Sequence, residues 1–155
     1  MQQESPPEIA ARQRWMAVLA RATAAELEQA RARHAADVGY TPLRAPETGL
    51  AMVRGRAGGT GNRFNLGEIT VTRCAVRMAD GRTGHAYVAG RSRRHAELAA
   101  LFDALLQDPD ARPVLEAELI APLAQAQQAA RDRRQRQAAA TRVDFFTMVR
   151  GEDPA

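Results

Sequence analysis

Apolar residues recur along this chain at helical and at alternating spacings, and each predicts a different element. Ile9, Trp15, Met16, Val18 and Leu19 give a first helix its apolar face. Ser5-Pro6-Pro7-Glu8 opens it as a capping box, with proline where its missing donor does no harm. Thr23-Ala24-Ala25-Glu26 is a second capping box, so the chain breaks near Ala22 and a second helix runs to about His34. The apolar face of that helix is thin, only Leu27 and Ala30 with His34 in line, which suits a helix on the surface or against a partner.

Strand patterns follow. Val38 to Ala45 is a candidate edge strand, because Pro42 has no ladder donor. Leu50 to Arg56 is a second strand and Glu68 to Ala79 a long third. In the third, Ile69 and Val71 have one parity and Cys74, Val76 and Met78 the other, which predicts a bulge near Thr72 and Arg73. Asp80-Gly81 predicts a type I′ hairpin turn into Thr83 to Ala89. Helical periodicity then returns. Ser92 is a natural N-cap, and Leu98, Leu101, Phe102, Leu105 and Leu106 carry the spacing of a well-buried helix that stops at Asp108-Pro109. A further helix covers about Arg112 to Ala121, with Pro122 kinking or interrupting it. Ala124 to Ala140 has high helix propensity but no core stripe, and reads as a projecting arm. The sum is an α+β domain: a small antiparallel meander packed with helices, plus N- and C-terminal helical extensions. A length of 155 residues suits a single domain, with N-terminal helices over 1–36, strands over 38–90, core helices over 92–121, and the arm and tail over 124–155.

The pattern changes sharply at Thr141 to Gly151. Val143, Phe145, Phe146, Met148 and Val149 form an apolar cluster on a polar stem, and two of the four Phe residues lie here. Exposed aromatic clusters are costly, so the segment needs a burial place. Two destinations fit: a last strand of its own domain, or a groove on another protein.

Composition narrows the setting. No run of about 18 apolar residues exists to span a bilayer. The N-terminal Met-Gln-Gln-Glu-Ser-Pro-Pro lacks the basic and apolar regions of a signal peptide. Cys74 stands alone, which suits a reducing cytoplasm and leaves no internal disulfide. The net charge is +4, and all 22 basic residues are Arg. Nucleic-acid binders usually mix Lys with Arg, so the basicity fits an anionic small molecule such as a triphosphate better.

Two segments can hold an anion. Gly58-Gly59-Thr60-Gly61-Asn62-Arg63 is a glycine-rich loop whose N–H groups can form a nest beside Arg63; the alternative is a wide hairpin loop with glycines at positive φ. It is not a P-loop, since the chain has no Lys, nor a dinucleotide fingerprint, since Phe64 stands at the third glycine. Arg91, Arg93, Arg94 and His95 surround the start of the Ser92 helix, where free N–H groups favour an anion. His95 also leans toward the buried face, as a structural histidine would. Glu47 is the best-placed lone carboxylate, or simply a turn residue. Scattered His34, His85 and His95 with a single Cys give no metal set, and no iron–sulfur cluster can be held by one Cys. No catalytic constellation emerges.

Val143-Asp144-Phe145-Phe146-Thr147-Met148-Val149-Arg150-Gly151 resembles the carboxy-terminal signature of the G subunits of bacterial carbon–phosphorus lyase. Ala45-Pro46-Glu47-Thr48-Gly49-Leu50, Gly58-Gly59-Thr60-Gly61-Asn62-Arg63-Phe64, and Gly90-Arg91 followed by His95-Ala96-Glu97 are similar to that family in order and spacing. The resemblance implies a subunit of a phosphonate-degrading complex, with the H, I, J and K/L subunits as partners and the I subunit as the direct contact. It implies ATP as substrate of the complex, whose adenine is exchanged for a phosphonate to give a ribose 1-phosphonate 5-triphosphate. It also implies an accessory chain, inactive alone and holding no cofactor of its own. Two other readings of the residues stay open: a nucleic-acid-binding module using the Arg-rich stretch Ala130 to Arg142, and a small independent enzyme acting on a phosphorylated ligand.

Overall fold

A computed structural model describes residues 6–56 and 61–140. Helix α1 spans Pro6–Leu19 and α2 spans Ala24–His34. The break between them falls where the second capping box lies. Glu26 donates its backbone N–H to Thr23 Oγ1 (3.2 Å), and Thr23 donates its own to Glu26 Oε2 (2.7 Å). Ser5, the first expected cap, lies outside the described residues.

Three antiparallel strands follow in the order β1-β2-β3: β1 Tyr40–Gly55, β2 Phe64–Met78 and β3 Thr83–Ala89. The two strands expected over Val38–Ala45 and Leu50–Arg56 are one strand, β1. The turn expected at Pro46-Glu47-Thr48-Gly49 is absorbed into it, with register shifts just before, between Pro42 and Arg44 and between Arg44 and Glu47. An outer strand tolerates both prolines there. The bulge expected near Thr72 and Arg73 is therefore on β1, because β2 pairs with β3 without interruption from Val71↔Ala89 to Arg77↔Thr83. The parity change in β2 has another cause. Thr72, Cys74, Val76 and Met78 are buried toward the helices, while Ile69 and Val71 belong to the opposite face. The hairpin at Asp80-Gly81 also differs from the type I′ turn. Gly81 donates to Met78 O (3.0 Å) and Met78 to Arg82 O (2.8 Å), and only Gly81 has positive φ. This is a three-residue loop closed by a glycine in the left-handed region.

Helix α3, Arg93–Leu105, lies across β2 and β3 and buries Leu98, Leu101, Phe102 and Leu105 as its periodicity requires. It approaches β3 closely at Gly84, where a Cβ would stand 1.9 Å from Ala100 O. The same turn of α3 carries a fully buried carboxylate, Asp103. Its Oδ1 accepts from Trp15 Nε1 (2.9 Å) and Arg12 Nε (3.2 Å), and its Oδ2 from Arg12 Nη2 (2.9 Å) and His85 N (2.9 Å). Four donors satisfy the buried charge and lock α1, α3 and β3 together.

The C-terminal segment comprises α4 Arg112–Leu115, a π-helical turn Glu116–Ile120, and α5 Ala121–Ala140. The interruption expected at Pro122 takes the form of this π-helical turn, in which Ala121 donates five residues back to Glu116 O. Beyond Leu123, α5 buries no further large side chain, and Gln127 Nε2 ties it to Val18 O at 3.0 Å. The polar arm is as expected. The tail Thr141 to Gly151, with Val143, Phe145, Phe146, Met148 and Val149, lies outside the described residues, as do Gly58, Gly59 and Thr60.

Candidate anion-binding groove

The corner between β3 and α3 is built by small polar residues. Gly90, at φ +90, turns the chain out of the strand. Its N–H donates to Thr70 O (2.8 Å) and its carbonyl accepts from Thr72 Oγ1 (2.7 Å). Thr72 Oγ1 is 3.1 Å from Thr48 Oγ1, which brings β1 to the same corner. Ser92 then caps α3 by accepting from His95 N at 3.3 Å.

These bonds shape an open groove of about 570 Å³ lined by Thr48, Gly49, Leu50, Thr70, Arg91 and Arg93. Two stretches far apart in sequence, Ala45–Leu50 and Gly90–Arg91, meet in it. Arg91 and Arg93 are exposed and have no acidic partner among the described residues. Thr72 Oγ1 gives its proton to Gly90 O and Thr48 Oγ1 gives its own to Thr72, so the groove's offer to an anion is Arg91 and Arg93 beside a helix start, with the Thr70 hydroxyl. No group lining the groove exchanges protons readily near neutral pH.

The other sequence candidates are elsewhere or already engaged. Arg94 is clamped by Glu28 (2.5 and 3.0 Å) and by Glu97 (2.8 Å), so its charge is neutralised within the fold. Hydrogen bonding to Glu28 leads in raising its pKa. Burial acts to raise the Glu97 carboxyl, but hydrogen bonds from Tyr40 (2.6 Å) and Arg94 outweigh it and hold the pKa below the usual value. His95 is buried, and its Nε2–H donates to Leu19 O at 2.9 Å; it ties α3 to α1 and does not line the groove. Arg63 and Gly61 stand at the far end of the β1–β2 hairpin. Six residues of β2, Phe64 to Ile69, separate Arg63 from Thr70, about 20 Å, so Arg63 and the Arg91 corner are not one site. Glu47 faces away from Thr48 and pairs with Arg44 (3.0 Å) and Arg73 (2.5 Å). Among the described residues no three His, Cys, Asp or Glu side chains are grouped to hold a metal, and no helix is long and apolar enough to cross a membrane.

Thr48, Thr70 and Thr72 escaped the sequence reading of the site. Thr48 sits inside the Ala45–Leu50 signature, which was the only available signal. Nothing local marks Thr70 or Thr72 as corner residues.

The family profile of the phosphonate metabolism protein PhnG matches residues 10–151. The chain belongs to the PhnG family. It is 49% identical over 148 residues to the alpha-D-ribose 1-methylphosphonate 5-triphosphate synthase subunit PhnG of Rhizobium meliloti (strain 1021), a match covering 94% of this chain and 92% of that one. The PhnG match therefore takes in the groove, the hairpin, the arm and most of the tail, and the sequence resemblance to the carbon–phosphorus lyase G subunits stands.

Proposed function

We propose that this chain is the G subunit of an alpha-D-ribose 1-methylphosphonate 5-triphosphate synthase. With its partner subunits it supports transfer of the ribose triphosphate moiety of ATP to a phosphonate, with release of adenine. The observation that carries this is the 49% identity, over nearly full length, to a protein of that name. In the reaction the C1′–N bond to adenine breaks and a bond from C1′ to a phosphonate oxygen forms. The leaving base needs a proton and the ribose needs fixing. The groove presents arginines, which suit the second. Arg91 and Arg93, with Thr70, hold part of the 5-triphosphate at a site completed by another subunit.

The H, I, J and K/L subunits of carbon–phosphorus lyase are the proposed partners, in the cytoplasm, with the I subunit in direct contact. Val143, Phe145, Phe146, Met148 and Val149 are the proposed anchor, because a large apolar cluster on a polar arm suits a partner's groove.

A reconstituted complex, scored separately for assembly and for adenine release from ATP with methylphosphonate, tests both parts. Arg91→Ala or Arg93→Ala should weaken ATP binding roughly 10- to 150-fold and leave assembly intact, the range for losing one charge-assisted contact. Phe145→Ala or Phe146→Ala should break assembly. Arg63→Ala, remote from the groove, is the control for ATP binding alone. If neither corner arginine matters, the triphosphate role fails and a structural subunit remains.

A further inference from the structure

The β1–β2 hairpin outgrows the domain. The last β2–β3 pair is Val71↔Ala89, whereas β1 and β2 stay paired through Leu50↔Thr70 and Ala51↔Ile69 to Gly55↔Phe64. The extension is a two-stranded ribbon about 20 Å long. It carries five large apolar side chains that are 46% to 65% exposed: Leu50, Met52, Phe64, Leu66 and Ile69. A two-stranded ribbon is marginal in water, and a contiguous exposed apolar surface marks a place of contact.

Register shows that both faces are apolar. Leu50 and Met52 share the face of Thr70 and Glu68, while Ile69 lies with Ala51 on the other. Phe64 pairs with Gly55 on that second face, and Leu66 closes over Gly55, where a Cβ would meet its Cδ1. A flat partner would cover only one face and leave the other in water. The outer end bears Arg54, Arg56 and Arg63, none with an acidic partner among the described residues; Glu68 is the ribbon's lone carboxylate.

We propose that this ribbon is an insertion element that enters an apolar cleft with an acidic rim on another protein subunit of the synthase. The inference rests on the reading of the chain as a subunit. Two apolar faces call for a cleft, and three exposed arginines at the outer end, without an acidic partner among the described residues, are complementary to carboxylates around it. A second copy of this chain fits poorly. Packed antiparallel, its arginine end would meet Arg91 and Arg93 at the ribbon's base; packed parallel, the arginine ends would meet each other. A polyanion would neutralise the arginines but leave both apolar faces in water.

The test uses the full chain co-expressed with the other synthase subunits, with Met52→Asp on one face, Ile69→Asp on the other, and the double variant Arg54→Glu/Arg56→Glu. Each face variant should cut recovery of the complex at least about tenfold while the isolated chain keeps its thermal midpoint. The double variant should weaken association and abolish its sensitivity to salt. If either Asp variant misfolds, Met52→Ser and Ile69→Thr replace it. Loss on one face alone would mean a flat contact and overturn the cleft. Intact assembly in all variants overturns the ribbon's role but leaves the subunit reading standing. A wild-type chain that fails to assemble overturns both. A wild-type homodimer that Met52→Asp dissolves reassigns the ribbon to a second copy.

Discussion

Between Tyr40 and Thr48, β1 runs beside a stretch of β2 that is flanked by β3 and covered by α3; between Leu50 and Gly55 the same two strands have, among the described residues, only each other. Both ends alternate with the period of a strand. At the covered end alternation separates a buried face, Thr72, Cys74, Val76 and Met78, from an exposed one. At the open end it sorts apolar residues onto both faces and buries neither. Period two assigns a residue to a face, and only the neighbouring layer decides whether that face is dry. The covered end holds the fold together, whereas the open end is free to serve a contact.

That contrast breaks most readily at Asp103. Asp103→Ala removes the acceptor for Arg12, Trp15 and His85 N, and should cost about 3–5 kcal/mol in urea unfolding, because a buried charge loses its partner. A loss under about 1 kcal/mol would show that the hub is not what joins α1 to the sheet. Leu101→Ala or Phe102→Ala should cost about 2–5 kcal/mol each through cavity formation. Gly84→Ala forces a methyl into the backbone of α3 at Ala100 and should cost about 1–3 kcal/mol through overpacking. A wild-type midpoint there would mean the helix sits farther from β3.

A pH scan gives a smaller effect. Burial leads in pushing the Cys74 thiol up to about 11, with the nearby Glu97 charge adding to it. A raised pKa means the native state holds the proton more tightly. Stability from this thiol is therefore complete below its ordinary value of about 8.5 and is lost as pH rises toward 11. Cys74→Ala should flatten that decline in the thermal midpoint between pH 8.5 and 11; an unchanged slope would assign it elsewhere. At the open end, Leu50→Ser should move stability by less than about 0.5 kcal/mol. A loss comparable to the α3 substitutions would erase the distinction between the two ends.

Local pattern was enough for some of this protein. The spacing Leu98, Leu101, Phe102, Leu105 specifies α3 and its buried face, since residues three and four apart share a side. The capping box at Thr23 fixes the start of α2, and the lack of large apolar residues after Leu123 makes α5 an arm. Other features depend on partners 20 to 90 residues away. Pro46-Glu47-Thr48-Gly49 reads as a turn, and pairing with β2 draws it into one strand. Asp103 reads as one polar position in an amphipathic helix; Arg12, Trp15 and His85 arriving together make it a hub. Arg91, Arg93 and Arg94 are equivalent charges in sequence, yet Glu28 and Glu97 claim one and leave two facing the groove with Thr48 and Thr70. Arg63, the charge of the other candidate segment, stands about 20 Å from that groove because β2 is long. Periodicity encodes which way a side chain points along its own element, whereas charge pairing, closeness and exposure are set where elements meet, and no short stretch of sequence contains that information.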